Sequence, residues 1–271
     1  MSAYAKADGA RRKDPLYPIF AGISVIVLLW VVAPLIVTFF SAFSSTTNAS
    51  FPPDGFSLRW FRNVFEIDEF KTPFYRSIAL ALISGICAMT LGTLSALALT
   101  KYRFRGSEAI DAVLMSPLIV PQVIIGLSFL IFVSRMQFTG KFAVLVVLHC
   151  VLTLPYAVRV IRASLTRVGR SLEEAAVGLG ASPLKAFFLV TLPQIKAGIF
   201  AASFFCFVIS FDNFTATAFL SQSNSTLPVE IYFYIETRVD PTISAIAALM
   251  MLGTTAFVLL IDRMVGVNRI T

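Results

Sequence analysis

The chain contains 271 residues, of which 57% are hydrophobic and only 14% are charged. Soluble domains carry about 45–50% apolar and about 25% charged residues, so this composition argues against an ordinary water-soluble enzyme. The formal net charge of +7 would suit either a nucleic-acid-binding surface or the cytoplasmic loops of a membrane protein, which collect Lys and Arg. The location of the basic residues along the chain distinguishes these two classes.

Six apolar runs are long enough to cross a bilayer, which requires about 20 mostly apolar residues per helix. The first run is longer than the apolar core of a signal peptide, which has about 7–15 residues, so we interpret it as a retained signal anchor. The predicted fold class is an all-α membrane protein with six transmembrane helices. The predicted spans are residues 18–43, 77–100, 110–133, 142–161, 198–220 and 242–261.

The basic residues are unevenly divided between the two sides of the membrane. Of the 22 Lys and Arg, 15 lie in or beside the N-terminal tail, the second and fourth loops and the C-terminal tail. The positive-inside rule therefore predicts that both termini are cytoplasmic. Seven acidic residues lie in or beside the segments of each side, and Asp212 alone lies more than two positions inside a predicted span. Because topology explains the charge excess, we expect no nucleic-acid partner.

Two patterns within the runs concern helix packing. Small residues recur at four-residue spacing in the second run, which lets helices approach closely in lipid, although alanine-rich helices also show such spacing by chance. Pro117, Pro121 and Pro155 remove backbone hydrogen bonds and are expected to bend their helices, either along a translocation path or as structural kinks. The small residues are Ser84, Ala88, Gly92, Ala96 and Thr100.

A long polar stretch separates the fourth and fifth runs. Ser171 and Glu174 have the spacing of a capping box, and Gly180 is placed to end that helix. Ser182 and Pro183 then follow the N-cap and N1 order that starts a second helix. The stretch is therefore predicted to form a helix, a tight turn and a helix, which either docks a soluble partner or rests on anionic lipid headgroups.

The same stretch resembles the EAA loop of bacterial ABC importer permeases. Glu174-Ala175-Ala176 is followed by Gly180 and then by Val190 and Leu192-Pro193 at the family spacing, with Val190 in place of the family's Ile. The resemblance implies a type I ABC importer permease fold, in which this loop is a coupling helix that binds a cytoplasmic ATPase. The implied coupling residues are Glu173, Glu174, Ala175, Ala176, Gly180, Ser182, Pro183, Leu192 and Pro193.

The resemblance also implies the organisation of the chain and its partners. We expect a cytoplasmic ATPase dimer, a second and different permease subunit, an extracytoplasmic solute-binding protein, contact with membrane lipid, and no cofactor. The chain has no G-x-x-x-x-G-K-[ST] phosphate-binding loop, so ATP hydrolysis is expected on another polypeptide. The predicted segments are a cytoplasmic tail (1–17), the first span (18–43), an extracytoplasmic loop with a short helix capped by Ser57 (44–76), a permease core (77–262) containing the EAA loop (170–193), and a cytoplasmic tail (263–271).

Asp212 is the candidate substrate-pathway residue, because an ionisable side chain within a membrane span indicates a functional site. Asn213 is adjacent, and Phe211 and Phe214 could offer aromatic faces to a cation. The alternative is that the Asp212 carboxylate only accepts a hydrogen bond from a neighbouring helix. His149, the only histidine, is interpreted as an interhelical hydrogen-bonding group in preference to a proton relay.

Three motifs further resemble spermidine/putrescine permeases: residues 210–214, 226–229 and 239–245. This resemblance implies a polyamine substrate, while related permeases carry opines, amino-acid derivatives, thiamine or ferric ions. An ion-coupled secondary transporter remains the alternative from another class, although it would need several intramembrane ionisable residues and internal repeats. Cys87, Cys150 and Cys206 lie in apolar runs without metal-ligand spacing, so we expect no metal site.

Overall fold

The structure is a computed structural model that describes residues 16–47, 51–102, 104–138, 141–221, 225–238 and 240–265. Two compact units are described separately below. The first comprises residues 1–66 and 238–252, and the second comprises residues 67–237 and 253–271. The predicted tails at 1–17 and 263–271 lie largely outside the described residues.

Helices form nearly all of the regular structure in the described ranges. Five of them are long and apolar enough to cross a membrane, or six if α4 and α5 below form one broken span. Short 3-10 turns occupy Ser116–Leu118 and Thr217–Phe219, and a π-helical turn occupies Phe187–Thr191. The helices are α1 (Tyr17–Ser41), α2 (Arg59–Glu66), α3 (Asp68–Lys101), α4 (Ser107–Met115), α5 (Gln122–Met136), α6 (Lys141–Arg167), α7 (Arg170–Gly178), α8 (Pro183–Ala186), α9 (Leu192–Phe211), α10 (Leu227–Thr237) and α11 (Thr242–Val265).

The first unit contains α1, α2 and the beginning of α11. Trp60 is buried, and its indole N–H donates to the carbonyl oxygen of Ser44 at 2.8 Å. The hydroxyl of Ser57 accepts a hydrogen bond from the backbone N–H of Arg59 at 3.2 Å. Ser57 therefore satisfies an N–H group at the start of α2, although Leu58 is the residue that flanks this helix. Trp60 packs with Ala42, Ala245 and Ala248.

In the second unit, α3, α6 and α9 pack together along their small residues. A Cβ added to Gly92 of α3 would lie 2.6 Å from the Cβ of Ala157 in α6, and one added to Gly198 of α9 would lie 1.9 Å from the Oγ of Ser164. The backbones therefore approach more closely than larger residues would allow. The predicted stripe is confirmed as a packing surface at its four buried positions, which are Ser84, Ala88, Gly92 and Ala96.

The predicted third span, 110–133, is wrong as a single bent helix. Helix α4 ends at Met115, and α5 begins only at Gln122, at 101° to α4. Pro121 adopts an extended backbone with ψ of 132°, and a proline also disfavours the helical conformation of the residue before it. Two closely spaced prolines, Pro117 and Pro121, therefore break this segment where one proline would only bend it.

The predicted fifth span, 198–220, is also wrong at its C-terminal end. Helix α9 ends at Phe211, so Asp212 lies just beyond the helix. The side-chain oxygen of Asn213 accepts hydrogen bonds from the backbone N–H groups of Ala216 and Thr217, at 3.3 Å each. Such local bonds offer the backbone an alternative to the helix, which explains why an apolar run does not continue as one.

The second and fourth predicted spans are shorter than the helices that contain them. Helix α3 begins at Asp68 and not at Ser77, and α6 continues to Arg167. Asp68 and Glu69 occupy the first turn of α3, where negative charge favourably meets the positive end of the helix dipole. Hydropathy detects only the apolar part of each helix and therefore misses these polar extensions.

Candidate functional site

The turn between α7 and α8 forms as the sequence predicts. Gly180 has φ of +96°, a left-handed conformation that glycine adopts without steric cost. Its N–H donates to the carbonyl oxygen of Val177 at 2.9 Å, and the N–H of Ala181 donates to that of Ala176 at 3.1 Å. These two bonds end α7 in a Schellman motif, which confirms the predicted position of Gly180.

Helix α8 also begins as predicted. The hydroxyl of Ser182 accepts a hydrogen bond from the backbone N–H of Lys185, and Pro183 is the first helical residue. The predicted capping box of α7 is wrong, because α7 begins at Arg170 and no side chain caps it. Gly169 adopts the extended backbone of a cap residue, so Ser171 is already within the helix.

Glu173 of α7 joins three elements through its carboxylate. Both carboxylate oxygens accept hydrogen bonds from the Nζ of Lys101, the last residue of α3, and the distance to Oε1 is 2.6 Å. The hydroxyl of Thr191, at the end of the π-helical turn, donates to Oε2 at 2.5 Å. The side chains of Lys101 and Glu173 are only 22% and 24% exposed. We refer to Lys101, Glu173 and Thr191 as the Glu173 cluster.

The remaining surface of the α7–α8 hairpin, residues 170–186, is exposed and partly apolar. Leu179 at the turn is 91% exposed, and Leu172, Val177 and Leu184 are also exposed. Glu174 is also exposed. Exposed apolar side chains on a short polar hairpin are typical of a protein-binding surface. We refer to Leu172, Glu174, Val177, Leu179 and Leu184 as the hairpin face.

The other predicted coupling residues are distributed around this hairpin. Ala175, Gly180, Ser182, Pro183 and Pro193 are exposed, while Ala176 and Leu192 are half-buried. The hairpin thus places most of the EAA-loop residues where a partner can contact them.

Asp212 lies at the opposite end of α9 from the hairpin. Its side chain is exposed, and among the described residues its carboxylate has no hydrogen-bond partner. Phe211 stacks on Phe207 with ring centroids 5.7 Å apart and planes at 12°, and Phe214 packs against Tyr232 at 4.9 Å. The carboxylate is therefore available to a solute, and its chain neighbours Phe211 and Phe214 each belong to an aromatic pair.

A second negative charge accompanies the Phe214–Tyr232 pair. Hydrogen bonding to Glu236 raises the pKa of the Tyr232 phenol above its usual value. Tyr232 therefore stays neutral at physiological pH beside a carboxylate. This end of the second unit offers negative charge and aromatic faces, a combination that attracts organic cations.

Asn213 is directed into the protein and not towards a solute. Its side chain is buried, and its Nδ2 donates to the Oε1 of Gln122 at 2.9 Å. Its Oδ1 accepts a hydrogen bond from the hydroxyl of Thr217 at 3.0 Å. Asn213 therefore links the segment after α9 to the first residue of α5.

His149 continues this polar chain into the core of the second unit. It is 1% exposed, with its Nε2 2.9 Å from the Oγ1 of Thr217 and its Nδ1 2.7 Å from the Oγ of Ser210. The hydroxyl of Thr217 donates to Asn213, so it accepts from His149, which assigns the proton to Nε2. The interpretation of His149 as an interhelical hydrogen-bonding group is confirmed.

Comparison with known proteins identifies the kind of molecule to which these features belong. Residues 88–267 match the family described as binding-protein-dependent transport system inner membrane component. The chain belongs to this family. The permease is therefore a multi-pass inner-membrane transport subunit and not an enzyme, and the alternative of an ion-coupled secondary transporter is set aside.

Two curated relatives and one solved structure are similar to the permease over most of its length. It is 33% identical over 214 residues to the putrescine transport system permease protein PotI of Escherichia coli K12, covering 75% of this chain and 76% of PotI. It is 29% identical over 207 residues to the spermidine/putrescine permease protein PotC of Haemophilus influenzae, covering 76% and 80%. A bacterial alginate ABC transporter, solved with its alginate-bound periplasmic protein, matches 95% of this chain and 96% of its own with a TM-score of 0.70 at 16% identity. The permease therefore has the predicted fold of type I ABC importer permeases.

Sequence reasoning missed several residues that the structure joins to the predicted ones. Lys101 is 72 positions from Glu173 in the chain, and Thr191 has no distinguishing sequence pattern. Lys101 lies at the end of an apolar run, and a charged residue at such a position often pairs with an opposite charge. This was the one sequence signal that could have indicated the pair. The contact of Tyr232 with Phe214 joins α10 to the segment after α9. No sequence pattern predicts this contact, because it depends on how the two elements pack.

Proposed function

We propose that this permease forms the translocation pathway of a polyamine importer. The exposed Asp212 carboxylate supports this substrate class, because it has no hydrogen-bond partner among the described residues. Phe211 and Phe214, its neighbours in the chain, belong to the Phe207–Phe211 and Phe214–Tyr232 ring pairs. Polyamines are flexible chains with several protonated amines. A carboxylate compensates such a charge, aromatic faces attract it, and separate weak contacts let the solute leave again.

The named relatives agree with this substrate. PotI is a putrescine permease and PotC a spermidine/putrescine permease, and the match to each covers at least three quarters of both chains. The short motif around Asp212 lies within the part of the chain that the family model matches. The proposal therefore extends to this chain the solutes for which its relatives are named.

The opposite end of the second unit is proposed to face the cytoplasm and bind the ATPase. The hairpin face consists of the exposed Glu174 and four exposed apolar side chains, as expected of a surface that is covered in the complete transporter. This proposal includes a cytoplasmic position for both termini, which the distribution of Lys and Arg supports. The further partners in this proposal are an ATPase dimer, a second related permease and an extracytoplasmic binding protein.

The substrate class is tested by replacing Asp212 in the complete importer. Asp212→Asn removes the charge while keeping the size of the side chain, so putrescine uptake into proteoliposomes should fall by about tenfold, which corresponds to about 1.4 kcal/mol of lost interaction. Asp68→Asn is the matched control, because that carboxylate is exposed and, within the described ranges, pairs only with a surface lysine, Lys71.

The two variants should differ only in transport. Both should purify with the other subunits in wild-type yield, and Asp68→Asn should transport putrescine at the wild-type rate. Uptake that is equal in the Asp212→Asn and wild-type importers would remove Asp212 from the pathway.

A further inference from the structure

Helix α7 has little apolar attachment to the spans. None of its side chains that the structure describes is buried, and a nine-residue helix is too short to be stable in isolation. An open cleft of about 300 Å³ lies beside it, lined in part by Thr100, Leu165 and Val168. Polar contacts must therefore fix the position of α7 against the spans.

The Glu173 cluster provides these contacts. It joins α7 to the end of α3 through Lys101 and to the start of α9 through Thr191. Its charges are largely shielded from solvent, so the ion pair is weakened less by water and salt than a surface pair. The Nζ of Lys101 also lies 5.7 Å from the ring centroid of Phe187 in the π-helical turn, within the range of a cation–π contact.

Thr191 connects α7 to the span α9, so a movement of α7 would be passed to α9 through Thr191. The turn Phe187–Thr191 is π-helical, and such turns often mark functional sites within helices. Helix α9 starts at the next residue and continues for 20 residues, a length of about 30 Å. It ends beside Asp212, so a single helix connects the Glu173 cluster with the candidate solute end.

We infer that Lys101 and Thr191 are positioning residues for energy coupling, which act through Glu173. The cluster holds α7 so that movement of the hairpin face moves α3 and α9 with it. This inference rests on the proposed binding of the hairpin face to the ATPase. It differs from that proposal because the cluster transmits the movement and makes no contact with the ATPase.

The inference is tested by breaking and then restoring the ion pair in the complete importer. Lys101→Glu and Glu173→Lys each place like charges together, and the double variant restores opposite charges with their positions exchanged. The hydroxyl of Thr191 can accept a hydrogen bond as well as donate one, so it remains satisfied in the double variant. Lys71→Glu and Asp68→Lys, which reverse an exposed pair, are the matched controls.

The readouts are the yield of the complex, ATP hydrolysis with and without the loaded binding protein, and putrescine uptake. Each single reversal should leave the yield of the complex unchanged, lower the stimulation of ATP hydrolysis and reduce uptake by about tenfold. The double variant should recover uptake to within about twofold of wild type. Thr191→Val, which removes one hydrogen bond to a charged group, should reduce uptake by about fivefold, and Lys101→Arg should retain it.

Three results would overturn the inference. They are normal stimulation and uptake in the single reversals, impaired uptake that the double variant does not recover, and loss of the ATPase from the single variants, which would show a role in assembly only. Failure of the proposed ATPase docking would look different. In that case Glu174→Arg, on the hairpin face, would leave the ATPase bound, whatever the behaviour of the cluster variants.

Discussion

Three polar side chains of the second unit, Glu173, Asn213 and His149, are each fully engaged with partners from other elements. Glu173 binds Lys101 and Thr191, Asn213 binds Gln122 and Thr217, and His149 binds Ser210 and Thr217. An unpartnered polar group is costly away from water. These networks therefore fix how the elements that they join can pack, whereas Asp212 has no partner among the described residues and is available to a solute.

Replacement of His149 should destabilise the protein by an amount that depends on whether the new side chain can still donate a hydrogen bond to Thr217. His149→Leu removes one buried hydrogen bond from Ser210 and one from Thr217, so the free energy of unfolding in detergent should fall by about 1–3 kcal/mol. His149→Gln can still donate to Thr217 and should lose less. Thermal unfolding of the purified chain measures the difference.

Thr90→Val is the control for the His149 variants. Among the described residues, the Thr90 side chain bonds only to Ile86 within its own helix, so its replacement should leave the unfolding temperature close to that of wild type. A His149→Leu protein as stable as wild type would show that the chain contributes nothing to the fold.

At the scale of elements, sequence patterns predicted the existence of helices better than their ends. Apolar length found every long helix, and the small-residue stripe of α3 was correctly interpreted as a packing surface. The break before Gln122 and the end of α9 at Phe211 follow from local chemistry, namely Pro121 and the Asn213 side chain. Both residues were visible in the sequence, but an apolar run alone does not show whether such a residue bends a helix or ends it.

The hairpin was predicted well because its turn is encoded locally. Gly180, Ser182 and Pro183 each act within a few residues of their own position, and all three form the contacts that their types predict. The Glu173 cluster could not be predicted in this way. Its members come together only when α3 and α9 pack side by side, and no local pattern records that contact.

The turn provides a test of the hairpin face as the ATPase-binding surface. Gly180→Val forces a branched side chain into a left-handed conformation, so the hairpin should distort and the ATPase should no longer purify with the permease. Insertion into the membrane should be unaffected. Gly178→Ala is the control, because an added Cβ there meets nothing within 4 Å; equal ATPase recovery from both variants would contradict the assignment.

At the scale of the molecule, the two ends of α9 have different chemistry. One end follows the Glu173 cluster and the hairpin, and the other precedes Asp212 and the aromatic pairs. The distribution of Lys and Arg predicts that the hairpin end is cytoplasmic. The excess of positive charge therefore indicates how the permease is oriented in the membrane. The negative charges at the other end, Asp212 and Glu236, indicate the class of substrate.

The central claim is that the permease couples ATP hydrolysis at the hairpin end to the passage of a polyamine at the Asp212 end. The most direct measurement is putrescine uptake by the reconstituted importer, with binding protein outside the vesicles and ATP inside. Uptake should require both internal ATP and the binding protein, and a proton or sodium gradient should not replace ATP. Uptake driven by an ion gradient without ATP, or ATP-dependent uptake of other solutes with none of putrescine or spermidine, would contradict this account.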